Sequence, residues 1–202
     1  MPLELIVVGA SLGGLDAIRR LLSSLPADFR VPIALVQHRS VYPDVSLCAA
    51  LQAVTPLVVV EASDKAPIAE GHVYFAPQDY HLLVDAGSFA LSTEDKVQRA
   101  RPSIDVLFES AAYAYGSRVA GVVLTGASRD GAEGARAILS HGGRVLAEDP
   151  AVAESPLMPR SAIEVGAESV PALHEIGTRL VSLAHTPEKL RRASRTSSDG
   201  RG

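Results

Sequence analysis

The stretch Leu3-Glu4-Leu5-Ile6-Val7-Val8-Gly9-Ala10-Ser11-Leu12-Gly13-Gly14 decides the fold. Its mostly apolar first half predicts a buried parallel strand. The glycines and the following Leu15-Asp16-Ala17-Ile18 predict a turn into a helix. A serine at such a corner lies at the carboxyl edge of the sheet, beside helix N-terminal N–H groups that can stabilise a developing negative charge. Ser11 is therefore the first candidate for chemistry.

The hexapeptide Gly9–Gly14 has three interpretations. Gly-x-Ser-x-Gly is the pattern of a nucleophile elbow. The glycine spacing is also close to the phosphate turn of a dinucleotide-binding fold, in which the serine would be incidental. The third interpretation is structural, because small residues let a helix pack closely on a strand. The hexapeptide alone does not choose among them.

Composition restricts the class of protein. The 202 residues, 47% hydrophobic and 21% charged, predict one globular domain with a substantial core. The net charge of −4, without a concentrated basic segment, argues against a nucleic-acid partner. Cys48 is the only cysteine, which excludes an internal disulfide and fits a reducing cytoplasm. The apolar runs are too short to cross a bilayer and no signal peptide is visible, so we expect a cytoplasmic protein without membrane insertion.

Short apolar runs alternate with helix-like segments, a pattern that predicts a doubly wound α/β sheet. One segment breaks the alternation: His81–Ser92 predicts a hairpin and an antiparallel excursion of the sheet. The domain is expected over residues 1–187, followed by a polar, disordered tail over 188–202. The predicted strands are Leu3–Val8, Val31–Gln37, Leu57–Val60, Val73–Ala76, Val119–Leu124, Arg144–Ala147 and Ser169–Pro171, and the predicted helices are Gly14–Ser24, Val45–Ala53, Ser103–Tyr115, Ala132–His141, Met158–Val165 and Leu173–Leu183.

Reactive residues follow three of the predicted strands. Ser11 follows the first strand, His38 follows the second, and Asp130 lies in the loop between a later strand and a helix. Ligands and catalytic groups of such folds gather at the carboxyl ends of the strands, so these residues can converge. Imidazole is the usual base for a serine nucleophile, and a carboxylate behind it fixes its tautomer.

Each member of this set also has a plainer interpretation. His38 could be a strand-end histidine bonded to the backbone, and Asp130 could cap the helix that begins at Gly131. The other histidines show no spacing that is convincing for a metal site with a third ligand, so we predict no metal and no cofactor.

Six ordered blocks resemble the catalytic domain of the chemotaxis protein-glutamate methylesterases, the CheB type. The resemblance runs from about residue 3 to residue 175. It implies a three-layer α/β/α domain that hydrolyses γ-glutamyl methyl esters on cytoplasmic helices of chemoreceptors, and that in many members deamidates receptor glutamines. The blocks are Gly9–Gly14, Val36–His38, Val73–Pro77, Arg101–Phe108, Leu124–Gly131 and Met158–Ile163.

The resemblance assigns roles to particular residues. Ser11 would be the nucleophile, His38 the general base and acid, and Asp130 the orienting carboxylate. The backbone N–H groups of Ala127 and Leu12 would bind the oxyanion. The expected partners are methylated chemoreceptors.

The sequence departs from the usual family pattern at several points. Leu12 stands where threonine is usual, Gly126-Ala127-Ser128 stands where Gly-Met-Gly is usual, and Arg39–Asp44 lacks the usual Met-Pro sequence. The first strand begins at Leu3, which leaves no room for the N-terminal receiver domain of typical members. We therefore expect either a stand-alone methylesterase or an excised domain.

Two other functions compete with this one. A non-catalytic module that binds a chemosensory partner would need no turnover. An NADP-binding protein of the short-chain dehydrogenase type would use the glycine-rich turn, but none of the three lysines follows a tyrosine at the spacing which that chemistry needs.

Overall fold

The computed structural model describes residues 2–38 and 47–185. The expected tail over 188–202, the domain end at 187 and the segment Arg39–Asp44 lie outside the described residues.

Strands and helices alternate along most of the described chain, as the sequence predicts. The strands are β1 (Leu5–Ala10), β2 (Ile33–Gln37), β3 (Val58–Glu61), β4 (His72–Phe75), β5 (His81–Asp85), β6 (Ser88–Ser92), β7 (Val119–Val123), β8 (Arg144–Glu148) and β9 (Glu168–Val170). The helices are α1 (Gly14–Ser23), α2 (Leu47–Gln52), α3 (Ile104–Tyr115), α4 (Ala132–Ser140), α5 (Leu157–Glu164) and α6 (Leu173–Ala184), with a 3₁₀ turn over Gly116–Arg118.

The main sheet has seven strands in the order β3-β4-β2-β1-β7-β8-β9, and its paired strands run parallel. The chain moves from β1 to β2 on one side and later returns to β7 on the other side. Strand order therefore reverses at β1, and such a switch point opens a crevice at the carboxyl ends of the strands. Ser11 follows β1 at this crevice.

Two apolar layers cover the sheet, and β1 contributes to both. Ile6 and Val8 pack on the face covered by α1 and α6, whereas Leu5 and Val7 pack on the face covered by α3, α4 and α5. The alternation follows from the two-residue period of a strand. A helix–sheet–helix sandwich of this kind confirms the predicted three-layer α/β fold.

The hairpin prediction is confirmed, but its place in the fold differs from the expected one. Strands β5 and β6 pair antiparallel in a sheet of their own and do not extend the main sheet. Leu82, Val84 and Phe89 bury their side chains in the core layer of α3. The hairpin therefore covers this helix instead of lengthening the sheet edge.

Within the ranges that the structure describes, no helix is long and apolar enough to cross a membrane.

Helices α3 and α4 approach each other closely because of a glycine. A Cβ atom built on Gly134 would lie 2.4 Å from the Cβ of Phe108 and 3.1 Å from the carbonyl oxygen of Asp105. These atoms are held by the backbone of α3, so they cannot move aside cheaply. The contact fixes the N-termini of the two helices relative to each other.

We expect Gly134→Ala to destabilise the protein by about 1–3 kcal/mol, because the added methyl overpacks the helix contact. In an open helix the same change stabilises by roughly 1 kcal/mol, so the sign of the effect is diagnostic. Urea denaturation would measure it. Arg136→Ala, at an exposed position of the same helix, is the matched control, and a Gly134→Ala protein more stable than the wild type would contradict the close approach.

Candidate active site

Ser11 lies on a corner whose backbone is held on both sides. Its N–H donates to the carbonyl oxygen of Thr125 at 2.9 Å, and its own carbonyl oxygen accepts from the N–H of Gly14 at 2.8 Å. Gly13 completes the turn with a φ of 75°, in the left-handed region where glycine carries no Cβ penalty. The corner therefore presents the half-buried Ser11 side chain at the carboxyl edge of the sheet.

His38 comes next to Ser11 through the register of two strands. Strand β2 pairs parallel with β1 so that Gln37 lies opposite Ala10, and the N–H of His38 donates to the carbonyl oxygen of Ala10 at 2.9 Å. The residues that follow these two strand ends are therefore neighbours. Among the described residues the Ser11 hydroxyl makes no hydrogen bond with His38.

Asp130 contacts the imidazole directly. Nε2 of His38 lies 2.7 Å from Oδ2 of Asp130, whose side chain is fully buried. This bond occupies Nε2, and Nδ1 makes no hydrogen bond with the described residues. The structure therefore brings the three predicted residues to the ends of the adjacent strands β2, β1 and β7.

The plainer interpretation of Asp130 as a cap of its own helix is wrong. The carboxylate accepts from the N–H of Ile104 at 2.8 Å, the N–H of Asp105 at 2.9 Å and the hydroxyl of Ser103 at 2.8 Å. These groups belong to the first turn of α3, which leaves its N–H groups without partners inside the helix. Asp130 thus caps the helix across the crevice while it contacts His38.

Hydrogen bonds keep Asp130 charged. Burial acts to raise the pKa of this carboxyl, but the bond from His38 and the N–H groups of Asp105 and Ile104 outweigh it. The pKa of Asp130 consequently lies below that of an ordinary aspartate.

Asp105 makes the reciprocal contact. Its Oδ1 accepts from the N–H groups of Gly131 and Gly134, each at 2.8 Å, at the start of α4. Oδ2 accepts from Nε2 of Gln98 at 2.9 Å. Burial, with a further contribution from the nearby charge of Asp130, raises the pKa of Asp105 to about 6. Two neighbouring carboxylates thus have pKa values shifted in opposite directions.

The candidate oxyanion amides belong to Leu12 and Ala127. Both residues are exposed at the crevice, and within residues 2–38 and 47–185 neither N–H donates to another backbone group. The carbonyl oxygen of Leu12 accepts from the hydroxyl of Thr125 at 2.9 Å, which ties the Ser11 corner to the loop after β7.

A basic cleft opens beside His38. Its volume is about 910 Å³, and its lining includes His38 and Ser128 together with the cations Lys96, Arg99 and Arg101. Asp79 also lines it and pairs with Arg101, with 2.9 Å between Nη2 and Oδ1. Lys96 and Arg99 are exposed to solvent. The cleft therefore has a positive rim on a protein of net charge −4.

The family model for the CheB methylesterase matches residues 6–180. The chain belongs to the CheB methylesterase family. The match contains Ser11, His38 and Asp130.

Curated relatives of the CheB methylesterase family share much of the sequence. A relative from Caulobacter vibrioides, named protein-glutamate methylesterase/protein-glutamine glutaminase 2, is 39% identical over 191 residues, which are 92% of this chain and 55% of the relative. A Leptospira interrogans relative, to which the same two activities are provisionally assigned, is 44% identical over 81% of this chain and 86% of its own length. The chain thus spans about half of the first relative and most of the second.

The solved catalytic domain of the Thermotoga maritima CheB methylesterase has the same fold. The two structures superpose with a TM-score of 0.85 at 35% sequence identity, over 91% of this chain and all of the other. These relatives do not favour an NADP-binding oxidoreductase or a non-catalytic module.

Sequence reasoning missed two polar residues of the site. Asp105 and Gln37 lie inside the blocks that carry the family resemblance, but the sequence alone assigns neither residue a role in the site. A usable signal existed for Gln37, because a polar residue ends an otherwise apolar strand. The part played by Asp105 depends on how α3 and α4 meet, which no local pattern encodes.

Ionisation of Asp105 makes stability depend on pH. Its pKa is about 6 in the folded protein against 3.8 for an ordinary aspartate, so the native state binds more protons in this interval. The free energy of unfolding therefore falls as pH rises from 3.8 to about 6. Asp130 has the opposite sign: its contribution is present above the ordinary pKa and is lost as pH falls through its lowered pKa.

We expect Asp105→Asn to remove this penalty while keeping an oxygen that accepts from α4. The stability of the variant relative to the wild type should increase as pH rises from 3.8 to about 6, with a slope of at most about 1.4 kcal/mol per pH unit. Urea denaturation at a series of pH values measures the difference. The exposed Asp28→Asn serves as control, and a difference that stays constant with pH would disprove the buried titration.

Proposed function

We propose that this chain is a serine hydrolase that demethylates γ-glutamyl methyl esters on chemoreceptor helices and releases methanol. Deamidation of receptor glutamines would be a second reaction of the same site. The observation that carries the proposal is the 2.7 Å bond between His38 and the buried Asp130, formed next to Ser11 at the crevice. Membership of the CheB methylesterase family and the names of its relatives support the same chemistry.

The reaction begins with attack of the Ser11 oxygen on the ester carbonyl carbon, while His38 accepts the serine proton at Nδ1. The N–H groups of Leu12 and Ala127 stabilise the negative oxygen of the tetrahedral intermediate. When the intermediate collapses, the bond to the methoxy group breaks and His38 gives it the proton, so methanol leaves.

Water then attacks the acyl-enzyme, with His38 again as base. The ester between Ser11 and the glutamyl carbonyl breaks, His38 gives the proton to the Ser11 oxygen, and a free glutamate carboxylate remains on the substrate. Asp130 stays ionised throughout, because its bonds to α3 and His38 favour the charged form. Its role is to hold the imidazole ring and to stabilise the imidazolium. With a glutamine substrate, ammonia would leave in place of methanol.

The substrate class is an acidic helix that carries the modified glutamate. Lys96 and Arg99 lie on the rim of the cleft that contains His38, and they complement the carboxylates of neighbouring glutamates. Such rim charges mainly steer association and set its salt dependence.

Ser11→Ala should lower the rate of methanol release by roughly three powers of ten or more, because no nucleophile remains. The assay uses methylated cytoplasmic fragments of chemoreceptors. Ser23→Ala, an exposed serine of α1, is the matched control and should retain full activity. A folded Ser11→Ala protein with normal turnover would contradict the nucleophile assignment.

We expect the double variant Lys96→Glu, Arg99→Glu to raise KM for the receptor fragment about 3- to 10-fold at low salt, with kcat little changed. High salt should reduce the difference because it screens exposed charges. Steady-state kinetics at two ionic strengths tests this. Arg144→Glu, which reverses an exposed charge at the start of β8, is the control, and equal KM values for all proteins would argue against an acidic substrate.

A further inference from the structure

Gln37 is a buried polar residue that joins two parts of the site. It ends β2, is 7% exposed and lies in register with Ala10. Ser11 and His38 each follow one member of this pair. The side-chain amide of Gln37 is therefore placed between the corner of the nucleophile and the corner of the base.

One nitrogen of this amide bonds to both corners. Nε2 donates to the carbonyl oxygen of Ser11 at 2.6 Å and to the carbonyl oxygen of His38 at 2.9 Å. Both partners are carbonyl oxygens and can only accept, so the orientation of the amide is fixed by its contacts. An NH₂ group has two hydrogens, and here each of them holds one corner.

The amide oxygen of Gln37 shows that this side chain is not optimal for the stability of the fold. Oε1 of Gln37 is buried and has no hydrogen-bond partner among the described residues. It lies against Gly14, where an added Cβ would come within 2.2 Å of it. A buried acceptor without a partner destabilises the fold. The benefit of the glutamine must therefore come from its two donated bonds.

The bonds to the carbonyl oxygen of Ser11 orient the peptide group between Ser11 and Leu12, whose N–H is a candidate donor to the oxyanion. The carbonyl oxygen of Ser11 points towards Nε2 of Gln37 and the N–H of Gly14. In a trans peptide the C=O and the next N–H point in opposite directions. The N–H of Leu12 is thereby turned away from Gln37 and left free for the crevice.

The backbone of His38 is held from two sides. Its N–H donates to Ala10 and its carbonyl oxygen accepts from Gln37. The Asp130 bond at Nε2 holds the ring itself. Gln37 thus relates the position of the base to that of the nucleophile through a single side chain.

We propose that Gln37 is a positioning residue for the hydrolysis: its amide sets the relative placement of Ser11 and His38 and turns the Leu12 N–H towards the oxyanion. This inference rests on the proposed function. A misplacement of reacting groups by about 1 Å can cost two powers of ten in rate. The effect belongs to the chemical step and not to substrate binding.

The test is Gln37→Met, which keeps the length of the side chain and removes both donors. Gln52→Met is the matched control, because Nε2 of Gln52 also bonds to two carbonyl oxygens, those of Thr55 and Leu57, at α2 and away from the crevice. The first measurement is the rate at which a fluorophosphonate labels Ser11, a reaction that needs the serine and its base but no receptor. The second is kcat and KM for methanol release.

We expect Gln37→Met to lower the labelling rate and kcat about 10- to 100-fold, with KM within about twofold of the wild type. Gln52→Met should match the wild type in both. Equal labelling rates for Gln37→Met and the wild type would overturn the inference while leaving Ser11 as nucleophile. Absence of labelling in the wild type would instead overturn the proposed function, and this inference with it.

A second variant protects the test against misfolding. Gln37→Glu has nearly the same size, and its ionised carboxylate accepts but does not donate, so this variant is assayed at alkaline pH. If circular dichroism shows that Gln37→Met is unfolded, the folded Gln37→Glu protein should show the same loss of labelling. Full labelling of Gln37→Glu would overturn the proposal.

Discussion

The site depends on reciprocal capping of α3 and α4, in which an aspartate beside or within each helix accepts bonds from the N-terminal N–H groups of the other. The Asp130 carboxylate, next to α4, receives the free N–H groups of α3, and the Asp105 carboxylate of α3 receives those of α4. Buried carboxylates and unpaired helix termini are each costly alone. Together they satisfy one another, and the two helices are locked at the place where Asp130 meets His38.

This reciprocal capping also separates the tasks of two neighbouring carboxyl groups. The bonds from His38 and from α3 lower the pKa of Asp130, whereas burial, with a smaller contribution from the charge of Asp130, raises the pKa of Asp105. Both carboxylates accept bonds from N–H groups, but only at Asp130, which also has the bond from His38, do these bonds outweigh burial. The carboxyl group with the lowered pKa contacts His38, and the more easily protonated Asp105 contacts the start of α4.

Much of the fold was predictable because its signals are local. The apolar run before Gly9 is a buried strand, and the helix predicted from Ser103 begins at Ile104 with Ser103 as its N-cap. The approach of Ser11, His38 and Asp130 followed from their positions after strands. The helix that Asp130 caps could not be predicted from the sequence. A sequence pattern points to the helix that begins at Gly131, whereas the folded chain brings in α3, which begins about 25 residues earlier. The hairpin was predicted, but its separation from the main sheet was not, because the packing of its apolar face on α3 is a long-range contact.

The pairing of β1 has a consequence for the order of folding events. Strand β1 is central, and its partners lie at very different distances along the chain, since Ile6 pairs with Ile33 on one side and Ala120 on the other. Closing the longer loop costs more chain entropy, and pairings between distant segments slow folding. A refolding chain can bring Ser11 beside His38 through β2 alone, but Asp130 arrives only when β7 docks. The complete set of three side chains therefore requires the long-range pairing of β1 with β7 as well as the shorter-range pairing of β1 with β2.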